Sequence, residues 1–487
     1  MLLMENINDE ILKKLNLSRA NFLYNTGDEI YILATNNNET VKSLMQIKEE
    51  YNEWARERFG NSLYMTMAYK PKMIYTLFKE NHNQRQFLNE VYSKLMMDKL
   101  NMISEFPGYV NSVSDFNFND MGERLAEQDI FFSVTDIDSS NAIEIFSSDK
   151  NKKKYLLLMS QQELEKYDMT HLKRVYSQNK VLMHPCESIR LWMPDYSYNA
   201  TIDISDTNEN GKQYIGILKI KVDNLSEAFS KGFAYEDKRY ATLGRYAALA
   251  RNINFFFKII ISKICKGELL KDTNETLEQF HLFDEKERKK RKERKVKIVY
   301  SLCGEICLVG DSEDLLELAV DIQRNFASFT NNQLTLSAAL GVFSKNFSVK
   351  KMLELIHGLE KFDKNNANDS IAFFIFEKDN TNDKQEVFTP QICQWKEFIE
   401  DVCEIKISFL RQKFKNDISF LYKTYILCTK GIYGFEHILG SSMKEKQYYG
   451  YKEQICNWMK DYDDNRTLKV ASYLLFYHLN KVFIKTL

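Results

Sequence analysis

The sequence predicts an α+β chain with two ferredoxin-like palm domains, an inserted α/β domain and a C-terminal helical bundle. Three observations predict it. Residues 21–70 read as β-β-α-β, residues 212–377 complete the β-α-β-β-α-β order of split βαβ domains, and helical periodicity takes over after Phe388. The 487 residues suffice for two to four domains, each burying a core of its own.

Element by element, Phe22–Asn25 and Ile30–Ala34 form a hairpin around Thr26-Gly27-Asp28, followed by a helix from Glu39 to Phe59 and a strand at Ser62–Ala68. Residues 1–74 therefore make a partial first palm. Residues 75–207 make the inserted α/β domain, which opens with a helix at Gln84–Met102 and continues as several short apolar runs. The second palm, residues 208–380, has strands at Tyr214–Val222, Lys297–Leu302, Ile306–Val309, Thr335–Phe343 and Ser370–Phe376. Its helices are expected at Thr242–Cys265, Glu313–Phe329 and Val349–Lys361. In residues 388–487 one apolar stripe runs through Trp395, Ile399, Val402, Ile405, Phe409 and Leu410, and a second through Ile418, Phe420, Leu421, Tyr425 and Leu427. Tyr448, Tyr449, Tyr451 and Trp458 are read as packing residues of this bundle.

A net charge of −1 gives the molecule no overall field for nucleic acid, so RNA contacts would come from local patches or from partners. The one dense charge block, Glu285–Lys297, carries interspersed acids and reads as a solvated loop. No run of about 18 apolar residues offers a membrane span. Met1–Leu23 lacks the basic start and apolar block of a secretory signal, so a cytoplasmic location is expected. The eight cysteines are scattered, and Cys303 and Cys307 form an isolated CxxxC, so a zinc ribbon is not expected. His184-Pro185-Cys186 is the one close His–Cys pair and reads as structural.

Two segments of the second palm carry a family resemblance. Ile217 to Leu225, with Phe229 and Gly232, leads into Ala241 to Asn252 and Phe255-Phe256. Val299-Tyr300-Ser301, Cys307 to Gly310 and Leu334 to Gly341 continue it, and the first palm adds Asn16 to Asn21, Leu23-Tyr24 and Tyr31 to Leu33. In these residues the chain resembles the large, signature subunits of type III CRISPR effector complexes, of the Csm type, a cyclic-oligoadenylate-synthase family. The likeness spans Leu17 to Phe376. It implies two nucleotide-cyclase-like palms and contacts with crRNA, target RNA, the crRNA 5′-end-binding subunit, the small subunits and the backbone subunits.

Many family members carry an HD nuclease and a Gly-Gly-Asp-Asp turn that makes cyclic oligoadenylate from ATP. This sequence departs from both. None of its seven histidines is followed by aspartate, and the chain opens inside the first palm, so a separate polypeptide supplying the N-terminal part is an open reading. Against the family pattern, the four-residue turn falls on Leu302-Cys303-Gly304-Glu305, and the acid of the facing strand falls on Lys221. Palm chemistry needs carboxylates on adjacent strands to hold two divalent ions, and a lysine in that position repels them. Asp223 belongs to a neighbouring Asp-Asn pair in the family pattern.

The expectation is a non-catalytic large subunit with no resident cofactor or metal. It would cap the crRNA 5′ end and support target RNA recognition in antiviral defence. The alternative is a cyclase using ATP and a divalent metal, its site rebuilt from Glu305, Asp223, Asp28 and Glu29 or completed by a partner. A third reading keeps the palm as the scaffold of a stand-alone interaction protein.

Overall fold

The structure is a computed structural model that describes residues 2–25, 29–60, 63–71, 90–99, 131–139, 142–149, 151–196, 198, 214–233, 242–268, 280–282, 294–344, 351–352, 355–356, 368–378, 385–387, 391–414, 417–430 and 449–486. The chain is mixed α and β, with palm and helical parts. It divides into two compact units. The first joins Met1–Tyr198 to Asn224–Ile260 and Ser301–Gly304; the second joins Asn199–Asp223, Ile261–Tyr300 and Glu305–Leu487.

In the first unit, helix α1 (Leu2–Lys14) is buried on all sides, from Glu5 through Leu12. Ile7 and Ile11 pack against Ile47, Tyr51 and Ala55 of α2 (Asn38–Phe59) and against Phe146. α1 stops because Asn16 adopts φ 54° and the Leu17 amide turns back to the Leu12 carbonyl at 2.8 Å, a left-handed C-cap that asparagine tolerates. Strands β1 (Phe22–Asn25) and β2 (Ile30–Ile32) then pair antiparallel, as the hairpin reading expected. α2 begins at Asn37, whose side chain accepts from the Thr40 amide at 2.8 Å.

A five-stranded sheet follows, made of β3 (Phe131–Thr135), β4 (Ile143–Ile145), β5 (Lys154–Met159), β6 (Leu172–Gln178) and β7 (Glu187–Leu191) in the order β4-β5-β3-β6-β7. β3 and β5 are buried at every position because apolar clusters cover both faces, which explains the unbroken run Tyr155–Met159. Residues 90–99 are helical; the remainder of the Gln84–Met102 helix lies outside the described residues.

One element of the first palm is corrected: residues 63–68 form no strand. The Met65 amide donates to Asn52 Oδ1 at 2.7 Å and the Met67 amide to Asp98 Oδ2 at 2.9 Å, so side chains take the place of a strand partner. α3 (Leu243–Phe255), capped by Thr242, continues through a π-helical turn at Phe256–Ile260 to Cys265. Its Tyr246 packs against Leu23, Tyr31, Leu33, Phe229 and Phe233.

The second unit holds a seven-stranded sheet of β8 (Tyr214–Val222), β9 (Val296–Leu302), β10 (Glu305–Gly310), β11 (Leu336–Ser344), β12 (Ser370–Lys378), β13 (Gln385–Val387) and β14 (Gln391–Gln394). The order is β13-β12-β11-β8-β10-β9, with β14 also on β12. β8 is central and antiparallel to both β10 and β11, and its Ile217, Leu218 and Ile220 are fully buried. α4 (Ser312–Phe329) starts at Asp311, whose carboxylate accepts from the Glu313 and Asp314 amides. Residues 351–352 and 355–356 of the Val349–Lys361 helix are helical, and the others lie outside the described residues.

Three further readings change. Gln391–Gln394 is a strand rather than the start of the bundle, pairing Ser370 to Phe373, and helix begins at Trp395, whose indole nitrogen donates to the Leu336 carbonyl at 2.7 Å. Phe398–Ile407 is π-helical, and its wider turn shifts the face of the stripe: Ile405 is 51% exposed, while Lys406 is buried against Trp458 and donates to Asp464 at 2.7 Å. Arg294, inside the block read as solvated, is buried between Glu317 and Asp321; residues 283–293 lie outside the described residues. The helices Ile418–Lys430, Tyr449–Lys460 and Tyr462–Thr486 complete the helical part. Tyr451 and Trp458 pack edge-on to Phe409, at 6.0 and 5.1 Å between ring centroids.

Candidate functional site

The hairpin β9–β10 turns at Cys303-Gly304, with Gly304 at φ 83°, a conformation in which a side chain is strained. Leu302 closes β9 and Glu305 opens β10. Cys303 Sγ lies 3.9 Å from the Ala250 carbonyl, a weak contact at most. The antiparallel register then sets Glu305 directly opposite Lys221 on β8, so the turn's one carboxylate and the lysine of the facing strand are cross-strand neighbours.

The closest cation to Glu305 is a different one. Lys219, two residues earlier on β8 and on the same sheet face, lies with its Nζ 3.1 Å from Glu305 Oε1 and is 4% exposed. The Tyr300 hydroxyl donates to the same oxygen at 2.6 Å. Burial alone would raise the Glu305 pKa, but the Tyr300 hydrogen bond and the charges of Lys219 and Lys221 outweigh it and hold the carboxyl below its ordinary range.

Asp223 has a separate occupation. Its carboxylate accepts from Thr335 Oγ1 at 2.6 Å, Ser337 Oγ at 2.5 Å and the Asp369 amide at 2.9 Å, while its own amide donates to the Thr335 carbonyl at 3.0 Å. It therefore ties the end of β8 to the start of β11 and to the residue before β12. Burial and the Asp223 charge raise the pKa of Asp369, which sits at φ 58°. Of the remaining acids considered for a rebuilt site, Glu29 pairs with Lys99 at 3.3 Å and Asp28 lies outside the described residues.

This donor set does not fit a pair of divalent ions. A two-ion site needs carboxylate oxygens converging on open coordination positions. Here Glu305 is neutralised by a buried ammonium, Lys221 stands across from it, and Asp223 is saturated by three donors. Among the described residues no three His, Cys, Asp or Glu side chains gather as a metal site requires. His184 Nδ1 and Cys186 Sγ lie 3.0 Å apart as each other's polar partners.

Sequence reasoning placed Lys221, Asp223 and Leu302 to Glu305 but gave Lys219 and Tyr300 no role. The alternation Lys219-Ile220-Lys221 was the available signal, since period two puts both lysines on one face. Among the described residues no helix is long and apolar enough to cross a membrane.

Comparison with known proteins accords with this architecture. Residues 1–111 match the model for Csm1 subunit domain B, and residues 214–372 match that for the Cas10/Cmr2 second palm domain. Curated relatives include the CRISPR system single-strand-specific deoxyribonuclease Cas10/Csm1 (subtype III-A) of Mycobacterium tuberculosis, 23% identical over 99% of this chain and 63% of that protein. The protein of the same description from Enterococcus italicus is 24% identical over 86% of this chain and 54% of its own length. This chain thus spans between about half and two thirds of these relatives. Among solved structures, a Csm1-Csm4 cassette in complex with cA4 superposes with a TM-score of 0.68 at 16% identity, covering 98% of this chain and 65% of that one. Csm1 of T. onnurineus gives 0.65 at 17% identity, with the same coverage. From a Csm1-type domain at its start and a Cas10 palm built around β8, the chain belongs to the family of Csm-type large subunits of type III CRISPR effector complexes.

Proposed function

We propose that this chain is a non-catalytic large subunit of a type III CRISPR ribonucleoprotein effector, capping the crRNA 5′ end and supporting target RNA recognition in antiviral defence. The observation that carries the reading is the Lys219–Glu305 ion pair with Lys221 in register across from it. A carboxylate already matched to an internal ammonium and a phenol has no charge left to attract Mg²⁺, and the adjacent lysine adds repulsion. The Cas10 palm is on this reading a scaffold.

The large-subunit role rests on the family and on the solved relatives, which are described as Csm1-Csm4 assemblies. By that likeness the chain would pair with a Csm4-type subunit at the crRNA end and with small and backbone subunits, in the cytoplasm.

The test is mass analysis of ATP products from the assembled complex, with and without matching target RNA, in Mg²⁺ and in Mn²⁺. No oligoadenylate is expected in any arm. Target-dependent cyclic product that disappears in Glu305→Ala would overturn the reading and restore the turn as a metal site.

A further inference from the structure

α1 lies across one face of the five-stranded sheet with Asp9 and Glu10 turned inward, and the two carboxylates are 4% and 0% exposed as residues. Beside them is a cavity of about 560 Å³, walled by the C-terminal half of α1, the Asn16–Arg19 turn, and residues of β3, β5, β6 and β7. That volume is within the range of small-ligand sites, roughly 300 to 1,000 Å³. Its wall mixes the aliphatic Leu12, Leu17, Val134 and Ile189 with charged side chains. Five cations, Lys13, Arg19, Lys154, Lys173 and Arg174, face three acids, Asp9, Glu10 and Glu187.

The acids are matched at their backs. Asp9 accepts from Arg19 Nε and Nη2, each at 2.7 Å, and from the Tyr176 hydroxyl at 2.6 Å. Glu10 accepts from Lys154 Nζ at 2.5 Å and from the Ser148 amide and hydroxyl at 2.9 and 2.8 Å. Two carboxylates that complete the balance, Glu5 on Arg19 and Asp136 on Lys173, do not line the cavity.

The cations keep donors in reserve. Arg174, with 8% of its side chain exposed, uses Nε on Glu187 and Nη1 on Tyr176, with Asp9 Oδ2 and Glu10 Oε1 at 3.5 and 4.0 Å from the same Nη1, which leaves the Nη2 hydrogens. Lys154 gives one of its three hydrogens to Glu10. Lys13 is exposed at the rim. Burial lowers the Lys154 pKa, with smaller contributions in the same direction from the neighbouring Lys13 and Arg174 charges, despite Glu10.

We propose that this cavity binds a phosphate group, held by Lys13, Lys154 and Arg174, and supplied either by a free nucleotide or by an oligoribonucleotide strand. Guanidinium and ammonium donors converging on one partly buried space are the chemistry that recognises a phosphate. The reading is independent of ATP turnover, because none of these residues belongs to the hairpin at Glu305.

The experiment is calorimetric titration of the full chain, at low salt, with inorganic pyrophosphate, AMP and a short 5′-phosphorylated RNA. Saturable binding is expected, weakened about tenfold by Lys13→Glu, which corresponds to roughly 1.4 kcal/mol. Lys13 is exposed, so this variant should retain the fold, and circular dichroism checks it. Arg174→Lys keeps the charge but removes the fork, and should weaken binding without changing its stoichiometry. Tighter binding of the RNA than of AMP assigns the strand as the source, and the reverse assigns the free nucleotide. Absence of heat with every probe up to about 10 mM overturns the proposal. Binding unchanged in Lys13→Glu does so equally, because the phosphate would then lie elsewhere.

Discussion

Lys219 Nζ and Glu305 Oε1 lie 3.1 Å apart on neighbouring strands, with Lys219 almost entirely buried. An ammonium removed from water in this way requires a carboxylate beside it, so each residue makes the other tolerable. Removing one partner should then cost more than removing both. Glu305→Gln, which strands the buried Lys219 ammonium, is expected to destabilise the chain by about 2 to 3 kcal/mol, and Lys219→Met by a smaller amount because the carboxylate it leaves behind is partly solvated. The double variant should be less destabilised than the sum of the two. A denaturant-based double-mutant cycle measures this, and additive costs would mean that the pair does not couple.

The same pair sets an acid dependence. The Glu305 carboxyl titrates below its ordinary range in the folded chain, so the folded state binds its proton less readily than the unfolded state does. Its contribution is fully present above the unfolded value, about 4.3, and is lost as pH falls through the lowered folded value. The stability difference between wild type and Glu305→Gln should therefore be constant near neutral pH and shrink below about pH 4. Thermal unfolding at stepped pH reads it, and a difference that grows on acidification would contradict the ion pair.

Much of this site was legible in the sequence because its parts are local. Alternation along Ile217 to Val222 marks β8, and the short connection between Leu302 and Glu305 marks the hairpin, so the facing of Lys221 and Glu305 follows once β8 and β10 are taken as neighbours. The choice of Lys219 as the ion partner was not legible. It depends on a diagonal across two strands some eighty residues apart and on which lysine lies under cover. Other misses share that cause. Arg294 closes a basic run that reads as solvated, and only packing against α4 reveals Glu317 and Asp321 beneath it. Ile405 fits a 3.6-residue stripe, and no composition rule signals the π-helical turn that exposes it.

Asp223 is expected to behave as a structural residue. Its carboxylate takes three donors from Thr335, Ser337 and the Asp369 amide, so Asp223→Ala leaves each of them short of a partner. A loss of about 2 to 4 kcal/mol should follow, visible as a lowered melting temperature. The shift should be the same in Mg²⁺ and in EDTA. A variant that melts like wild type in EDTA but loses a Mg²⁺-dependent stabilisation would instead make Asp223 a metal ligand.

Gly310 offers a steric test of the β9–β10 pairing. A Cβ placed there would lie 2.3 Å from the Lys295 carbonyl oxygen and 2.8 Å from Val296 Cα, both backbone atoms that cannot rotate away. Gly310→Ala must therefore separate the strand ends next to Asp311, the residue that caps α4. A cost of about 2 kcal/mol or more is expected, whereas Gly244→Ala, in the first turn of α3 with nothing within 4 Å of the added methyl, should be neutral to slightly stabilising. Parallel denaturation curves decide it, and equal costs would mean that β9 and β10 part more easily there than the close approach implies.

Arg294 lies between two buried carboxylates, donating to Asp321 Oδ2 at 2.9 Å and bonding Glu317, while the Phe280 amide donates to Asp321 Oδ1 at 2.8 Å. His281 stands 3.6 Å from Glu317, and one guanidinium cannot fully offset two buried acids. Burial pushes the Asp321 carboxyl up to about 6 in spite of Arg294. The folded chain then holds a proton that the unfolded chain has released, so stability falls as pH rises from the unfolded aspartate value, about 3.9, to about 6, and levels off above it. Asp321→Asn keeps an oxygen for the Phe280 amide and removes the ionisation. Its stability should be flatter than that of wild type across this window and should approach or exceed it at pH 7.5, where the wild-type carboxylate is charged. Urea denaturation at half-unit pH steps makes the comparison. Wild-type stability that rises from pH 4 to 6 relative to Asp321→Asn would mean that Arg294 holds both acids ionised, and that Asp321 contributes as a salt-bridge partner throughout.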